Sequence, residues 1–195
     1  MPRHGHVELG DFARRVPSLD DDPDAVYDAL VRRLLRPRLA ALGGEGLVLG
    51  IDKNAGWFDV LPPHTTVELE LPAATAADWV VVDRRLQHVP DPALALQEAA
   101  RRLRPGAGLV TLFTGIARPE PEERAPLWTV VPHAARRLHE QRAELEQVEV
   151  EQRGNVTLAL ASLYRLPAGR LSERELAAVD ASYPVLVAVT ASRRS

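Results

Sequence analysis

The stretch DWVVVDRRLQHVPDPALALQEAARRLRPGAGLVTLF, residues 78–113, decides how this chain is expected to fold. Residues 78–83 form a continuous apolar run between aspartates, which is typical of a central parallel strand. The sequence PDP at 90–92 predicts the start of a helix. The sequence RPG at 104–106 predicts the end of that helix, and 108–113 predicts a second strand. Together these elements form a βαβ unit with a right-handed crossover.

The rest of the chain extends this pattern. A helix is predicted to begin at Asp22-Pro23, to bend or break at Pro37, and to end at Gly43-Gly44. From periodicity and length, strands are predicted at 46–52, 66–71, 146–151 and 184–190, and helices at 132–142, 155–166 and 172–179. Residues 1–22 are predicted to be an N-terminal arm and 23–195 a single α/β domain whose helices pack on a mostly parallel sheet.

Composition excludes several classes of function. The 195 residues are 46% apolar and carry a net charge of −3, which argues against a nucleic-acid surface. There is no cysteine, so thiolate metal sites and cysteine nucleophiles are excluded. The apolar runs are far shorter than the ~18 residues of a membrane span. Because the N-terminus lacks an apolar signal core, a cytoplasmic protein is expected. The single lysine, Lys53, is typical of a GC-rich bacterial genome.

Three stretches, taken in order, resemble the class I S-adenosylmethionine-dependent methyltransferases. Residues 78–113 resemble the segment that spans strand four, a helix and strand five of that family. Residues 127–141 resemble its tryptophan-containing segment before the last large helix. Residues 148–191 resemble the tail of a bacterial subgroup found beside glycosyltransferases in surface-polysaccharide and natural-product clusters. In the first stretch the matching positions are Asp78, Leu86, His88, Val89, Asp91, Pro92, Leu96, Glu98, Arg101, Leu103, Pro105, Gly106 and Leu109.

The resemblance covers residues 46–192 and implies a Rossmann-type, mostly parallel sheet with helices on both faces. It implies S-adenosylmethionine as cofactor and a small molecule or a sugar as substrate. The cofactor-binding residues that it implies are Gly50, Asp52, Gly56, Trp57 and Asp83. The glycine-rich turn that follows strand one in the family is degenerate here, because only two glycines remain and they are six positions apart.

The chain is also shorter than the family pattern after strand one. Only 25 residues separate Asp52 from Asp78, whereas two helices and two strands with their connections need more than about 40. A strand and helices are therefore expected to be missing between strand one and the middle strand. The acidic residue that ends strand two in the family has no clear counterpart, and Asp59, Glu68 and Glu70 are the candidates.

For several polar residues the sequence allows two interpretations, one functional and one structural. Arg84 and Arg85 follow the strand at 78–83 and either hold a carboxylate or phosphate or are solvated loop residues. His88 either acts as a catalytic general base or packs against the next helix. Glu68 and Glu70 share one face of a strand, which suits acid–base chemistry or a solvated face.

Other side chains give weaker signals. His133 and His139 are six apart, which is the wrong spacing for one helix face, and no metal site is expected. Trp79 is predicted to lie in the core, and Trp57 is the better candidate to stack on a ligand.

Two hypotheses follow. In the first, the chain is a pseudoenzyme: a scaffold whose stripped, apolar sheet surface is covered by a second copy or by an active biosynthetic enzyme. In the second, it is an active S-adenosylmethionine-dependent methyltransferase with a shortened pocket, since methyl transfer needs mainly positioning. A third possibility is a different reaction on a natural-product intermediate in the vacated pocket.

Overall fold

The computed structural model describes residues 24–50, 55–69, 76–116 and 125–195, which contain one six-stranded sheet. The strands are β1 (Gly46–Leu49), β2 (Thr65–Glu68), β3 (Ala77–Asp83), β4 (Leu103–Thr114), β5 (Leu145–Arg153) and β6 (Leu186–Arg193). Their order is β2-β1-β3-β4-β6-β5. The first four strands pair in parallel, and β6 runs antiparallel to both of its neighbours. The predicted α/β architecture with a mostly parallel sheet is confirmed.

Helices cover both faces of this sheet. They are α1 (Ala25–Leu39), α2 (Pro92–Arg101), α3 (Pro132–Glu140), α4 (Val156–Leu163) and α5 (Glu173–Ala177). Because side chains alternate along a strand, Val48 of β1 joins the core under α1 and α4, whereas Leu47 and Leu49 join the core under α2 and α3. No helix in the described ranges is long and apolar enough to cross a membrane.

The predicted elements are found at the predicted places, with three differences. Helix α1 ends at Leu39 rather than at the predicted Gly43-Gly44. The predicted bend or break at Pro37 is wrong, because α1 runs through it to Leu39. Pro37 lies in the last turn, where its missing N–H removes only one interior hydrogen bond. Strand β4 begins at Leu103 rather than at residue 108, so the RPG sequence lies inside the strand. The predicted start of α1 at Asp22-Pro23 and the N-terminal arm lie outside the described residues.

The shortened region after β1 contains a 3₁₀ turn at Phe58–Val60 and strand β2 within its described residues. The expectation of an exposed apolar sheet surface there is wrong for β1, because all four of its residues are buried, whereas β2 is only partly buried. On one face Trp57 and the apolar stripe of α1 cover the strand. On the other, Leu47 and Leu49 belong to a core that includes Leu86 and Leu96.

A close approach between neighbouring strands explains Gly46. This residue pairs in register with Trp79, and a Cβ added to it would lie 1.9 Å from the Trp79 ring. Trp79 is buried, as predicted, so its ring has no room to move away.

We expect Gly46→Ala to destabilise the protein by about 3 kcal/mol, because the new methyl group overpacks the core against Trp79. Gly108→Ala in β4 is the matched control, since a Cβ there would meet no atom within 4 Å. Urea denaturation measures both variants. Equal unfolding midpoints for the two would contradict this account of Gly46.

Candidate functional site

The carboxyl ends of parallel strands are where ligands bind in open α/β sheets. Here that edge contains Asp83, the last residue of β3. The Tyr27 hydroxyl of α1 donates to Asp83 Oδ1 at 2.6 Å, and the Trp57 indole N–H donates to Asp83 Oδ2 at 3.1 Å. The side chain of Asp83 is 1% exposed. Both carboxylate oxygens are therefore bonded to protein donors from two other parts of the chain.

Arg84 adds a buried cation to this edge. Its backbone is left-handed, with φ of 55°, which turns its side chain back towards α1. Its guanidinium lies 4.6 Å from the centre of the Tyr27 ring, and Nη1 donates to Asp24 Oδ2 at 2.6 Å. Of the two readings of Arg84, the solvated one is wrong, and the carboxylates it holds are the chain's own. The half-buried Arg85 donates to the carbonyl oxygen of Leu69.

Asp28 is the functional candidate that sequence reasoning missed. It is 4% exposed, and its Oδ2 accepts a hydrogen bond from the Gly56 N–H at 2.6 Å. Its Oδ1 is buried without a hydrogen-bond partner in the described structure. Burial raises the pKa of Asp28 to about 7, against the opposing effects of the Gly56 N–H and Arg84. Its position in the apolar stripe of α1, three residues before Val31 and seven before Leu35, could have signalled a buried carboxylate.

The described members of the predicted cofactor set are engaged elsewhere. The Gly50 N–H donates to the Glu68 carbonyl at 3.0 Å. A Cβ at Gly56 would lie 2.6 Å from Asp28 Oδ2, so the close approach that this glycine permits is to α1. Trp57 is 0% exposed and presents no open face for stacking. Asp52 lies outside the described residues.

These contacts determine whether the predicted residues could bind S-adenosylmethionine. The cofactor would need free hydrogen-bonding groups for its polar parts and an open slot for its adenine. The Asp83 oxygens, the Gly56 N–H and the Trp57 ring supply neither, because protein atoms already occupy them. In this arrangement Asp83, Gly56 and Trp57 do not fit the cofactor.

The remaining candidates are dispersed. Half-buried His88 has its pKa lowered by burial and by Arg84, so its imidazole is neutral at pH 7. Asp59 is exposed and pairs with Arg32 at 2.9 Å. Glu68 ends β2 and is half-buried, whereas Glu70 lies outside the described residues. Among those residues no group of three metal-binding side chains converges.

His139 is a second buried polar residue that the sequence did not reveal. It is 0% exposed. Its Nδ1–H donates to the Ala135 carbonyl at 2.8 Å, which leaves Nε2 to accept from the Thr111 hydroxyl at 2.8 Å. Burial lowers the pKa of His139 to about 4. This histidine therefore fastens α3 to β4 as a neutral group, while His133 on the same helix is exposed.

We expect Tyr27→Phe to lower the free energy of unfolding by about 2 kcal/mol, because it leaves a buried carboxylate without one of its donors. Tyr183→Phe is the matched control, since that side chain is 40% exposed. Thermal unfolding at pH 7 measures both. If Tyr27→Phe were as stable as the control variant, the contact to Asp83 would not hold α1 in place.

The architecture of the chain is similar to that of solved methyltransferase structures. No protein-family model and no curated protein matches the chain. A solved S-adenosylmethionine-dependent methyltransferase from Thermotoga maritima, described as a possible histamine N-methyltransferase, is similar with a TM-score of 0.59 and 15% identity. The match covers 95% of this chain and 96% of that one.

A second similar structure is phosphoethanolamine N-methyltransferase 2 from Haemonchus contortus in complex with S-adenosylmethionine. Its TM-score is 0.55 at 12% identity, over 98% of this chain and 61% of that one. Both identities are low, so what the two structures share with this chain is its architecture. The six-stranded sheet with its antiparallel β6 has the fold of the class I S-adenosylmethionine-dependent methyltransferases.

Proposed function

We propose that this chain is a methyltransferase-like pseudoenzyme that serves as a scaffold for a protein partner in bacterial secondary or surface-glycan metabolism. The observation that carries the proposal is the engagement of Asp83. Its two oxygens accept from Tyr27 and Trp57, so the donors to this carboxylate at the end of β3 come from the chain itself. Because the chain itself supplies both contacts, no cofactor is needed to satisfy the Asp83 carboxylate.

The contact surface of this scaffold does not include β1, because all four residues of that strand are buried. Large apolar side chains are instead exposed before and at the start of α3, where Leu127, Trp128 and Val131 are 59%, 45% and 49% exposed. Exposed apolar groups of this kind are typical of interaction sites. The partner is a second copy of the chain or an active biosynthetic enzyme.

An active methyltransferase is the second candidate. The chain matches nearly the full length of the Thermotoga maritima structure, which is described as an S-adenosylmethionine-dependent methyltransferase. The shortened region after β1 is thus compatible with the fold of a protein described as a methyltransferase. The lowered pKa of His88 also leaves a neutral imidazole, which is the form that a general base requires. The substrate in this case is a small molecule or a sugar.

Calorimetric titration of the purified protein with S-adenosylmethionine and with S-adenosylhomocysteine distinguishes the two candidates. We expect no heat and no thermal stabilisation at millimolar ligand, because the described site residues are already bonded within the protein. Light scattering on the same sample tests for the second copy by a mass twice that of one chain.

Micromolar binding of either compound would overturn the pseudoenzyme proposal. In that case Asp83→Asn, with its fold checked by circular dichroism, tests whether the carboxyl end of β3 holds the ligand. Asp59→Asn is the matched control, because that carboxylate is exposed and pairs with Arg32 on the outside of α1. Loss of binding in the first variant and its retention in the second would establish an active cofactor site.

A further inference from the structure

Asp28 lies beside a buried charge cluster at the carboxyl edge of β3, in which Arg84 pairs with Asp24 and with Asp83. Arg84 contacts Asp24 at 2.6 Å and Asp83 at 3.5 Å. Among the described residues, Asp28 receives the Gly56 N–H on Oδ2, and its other oxygen is buried without a partner. A proton on Asp28 would remove the cost of burying its charge.

Asp28 also lies at a joint between two parts of the chain. Residues 56–60, which we call the latch segment, run along α1 after β1. Asp28 holds the segment by its first N–H, and Arg32 holds the Gly56 carbonyl and the Asp59 carboxylate from outside. Trp57 of the segment reaches Asp83 in the interior. Asp28 is therefore the buried tie between the latch segment and α1.

We propose that Asp28 is a proton-operated latch. When Asp28 carries a proton, the latch segment lies closed against α1, with Trp57 on Asp83. When Asp28 loses the proton, its charge is buried with one oxygen unpartnered among the described residues, and the segment separates from α1 so that water reaches the carboxylate. Opening exposes Trp57 and frees one oxygen of Asp83, at the edge where this fold takes its ligands.

The direction of the pH effect follows from the groups around Asp28. Helix α1 and its N-cap contribute Asp24, Tyr27 and Arg32. The end of β3 contributes Asp83 and Arg84, and the latch segment contributes Asp59. Burial raises the pKa of Asp28 to about 7 in the closed state, whereas an exposed aspartate has a pKa near ~3.9. Closing therefore takes up a proton between these values. The opening equilibrium rises about tenfold per pH unit up to pH 7 and is level above pH 8.

Hydrogen exchange tests the latch in the full chain. Amide protection of residues 56–60 is measured from pH 5 to pH 8 and corrected for the intrinsic exchange rate. We expect the protection of the wild-type segment to fall at least tenfold as the pH rises from 5 to 7 and then to level off. Asp28→Asn keeps an oxygen for the Gly56 N–H but carries no charge, so its protection is expected to be independent of pH.

Asp59→Asn is the matched control, because it removes an exposed carboxylate of the same segment and leaves Asp28 in place. It is expected to keep the wild-type pH dependence. A wild-type segment with constant protection, or an Asp28→Asn variant with the wild-type dependence, would overturn the proposal. If Asp28→Asn does not fold, Asp28→Ser removes the same charge with a smaller side chain and is subject to the same two outcomes. None of these results depends on whether the protein binds S-adenosylmethionine.

Discussion

The carboxylate of Asp83 is the point on which the described structure depends, because it joins three segments that are distant in sequence. It ends the central strand, and it accepts one hydrogen bond from α1 and one from the segment after β1. A buried carboxylate that lost these donors would have to be protonated or hydrated at considerable cost. The positions of α1 and of Trp57 are therefore fixed by the need to satisfy one buried charge, as well as by their apolar packing.

This constraint explains how a shortened sheet remains covered. The connection after β1 provides only a 3₁₀ turn and a short edge strand in its described residues. Helix α1 compensates, because its 15 residues present a long apolar stripe to the sheet. Trp57 fills the remaining volume and is wholly buried, with its ring edge-on to Phe58 at 4.8 Å. The covering of β1 thus comes from an element that precedes it in the chain.

Local signals in the sequence predicted most of the fold. Helix α2 begins at the predicted PDP sequence, where Asp91 accepts from the Leu94 N–H at 2.9 Å, and Ser172 with Glu175 forms the predicted capping box of α5. Such signals act within four residues and can be read from the chain directly. The partners of Asp28 and His139 could not be predicted, because each contacts a segment that is about 28 residues away. The sequence also could not reveal that Trp57 faces a carboxylate, since only the packed sheet brings Asp83 beneath it.

In this chain the fold alone does not indicate the function. Its architecture is that of a methyltransferase, yet a fold does not specify an activity, which depends on the groups left free at the site. At the carboxyl edge of β3 the hydrogen bonds that a ligand could make are made by α1 and by Trp57. Among the described residues of this edge, Asp28 alone keeps an unsatisfied buried oxygen, and a buried carboxylate of this kind is a cost that stability alone would not retain. The Asp28 carboxylate is therefore the group at this edge that indicates a function beyond stabilising the fold. Because protonation of Asp28 keeps the latch segment closed, that function depends on the position of the segment.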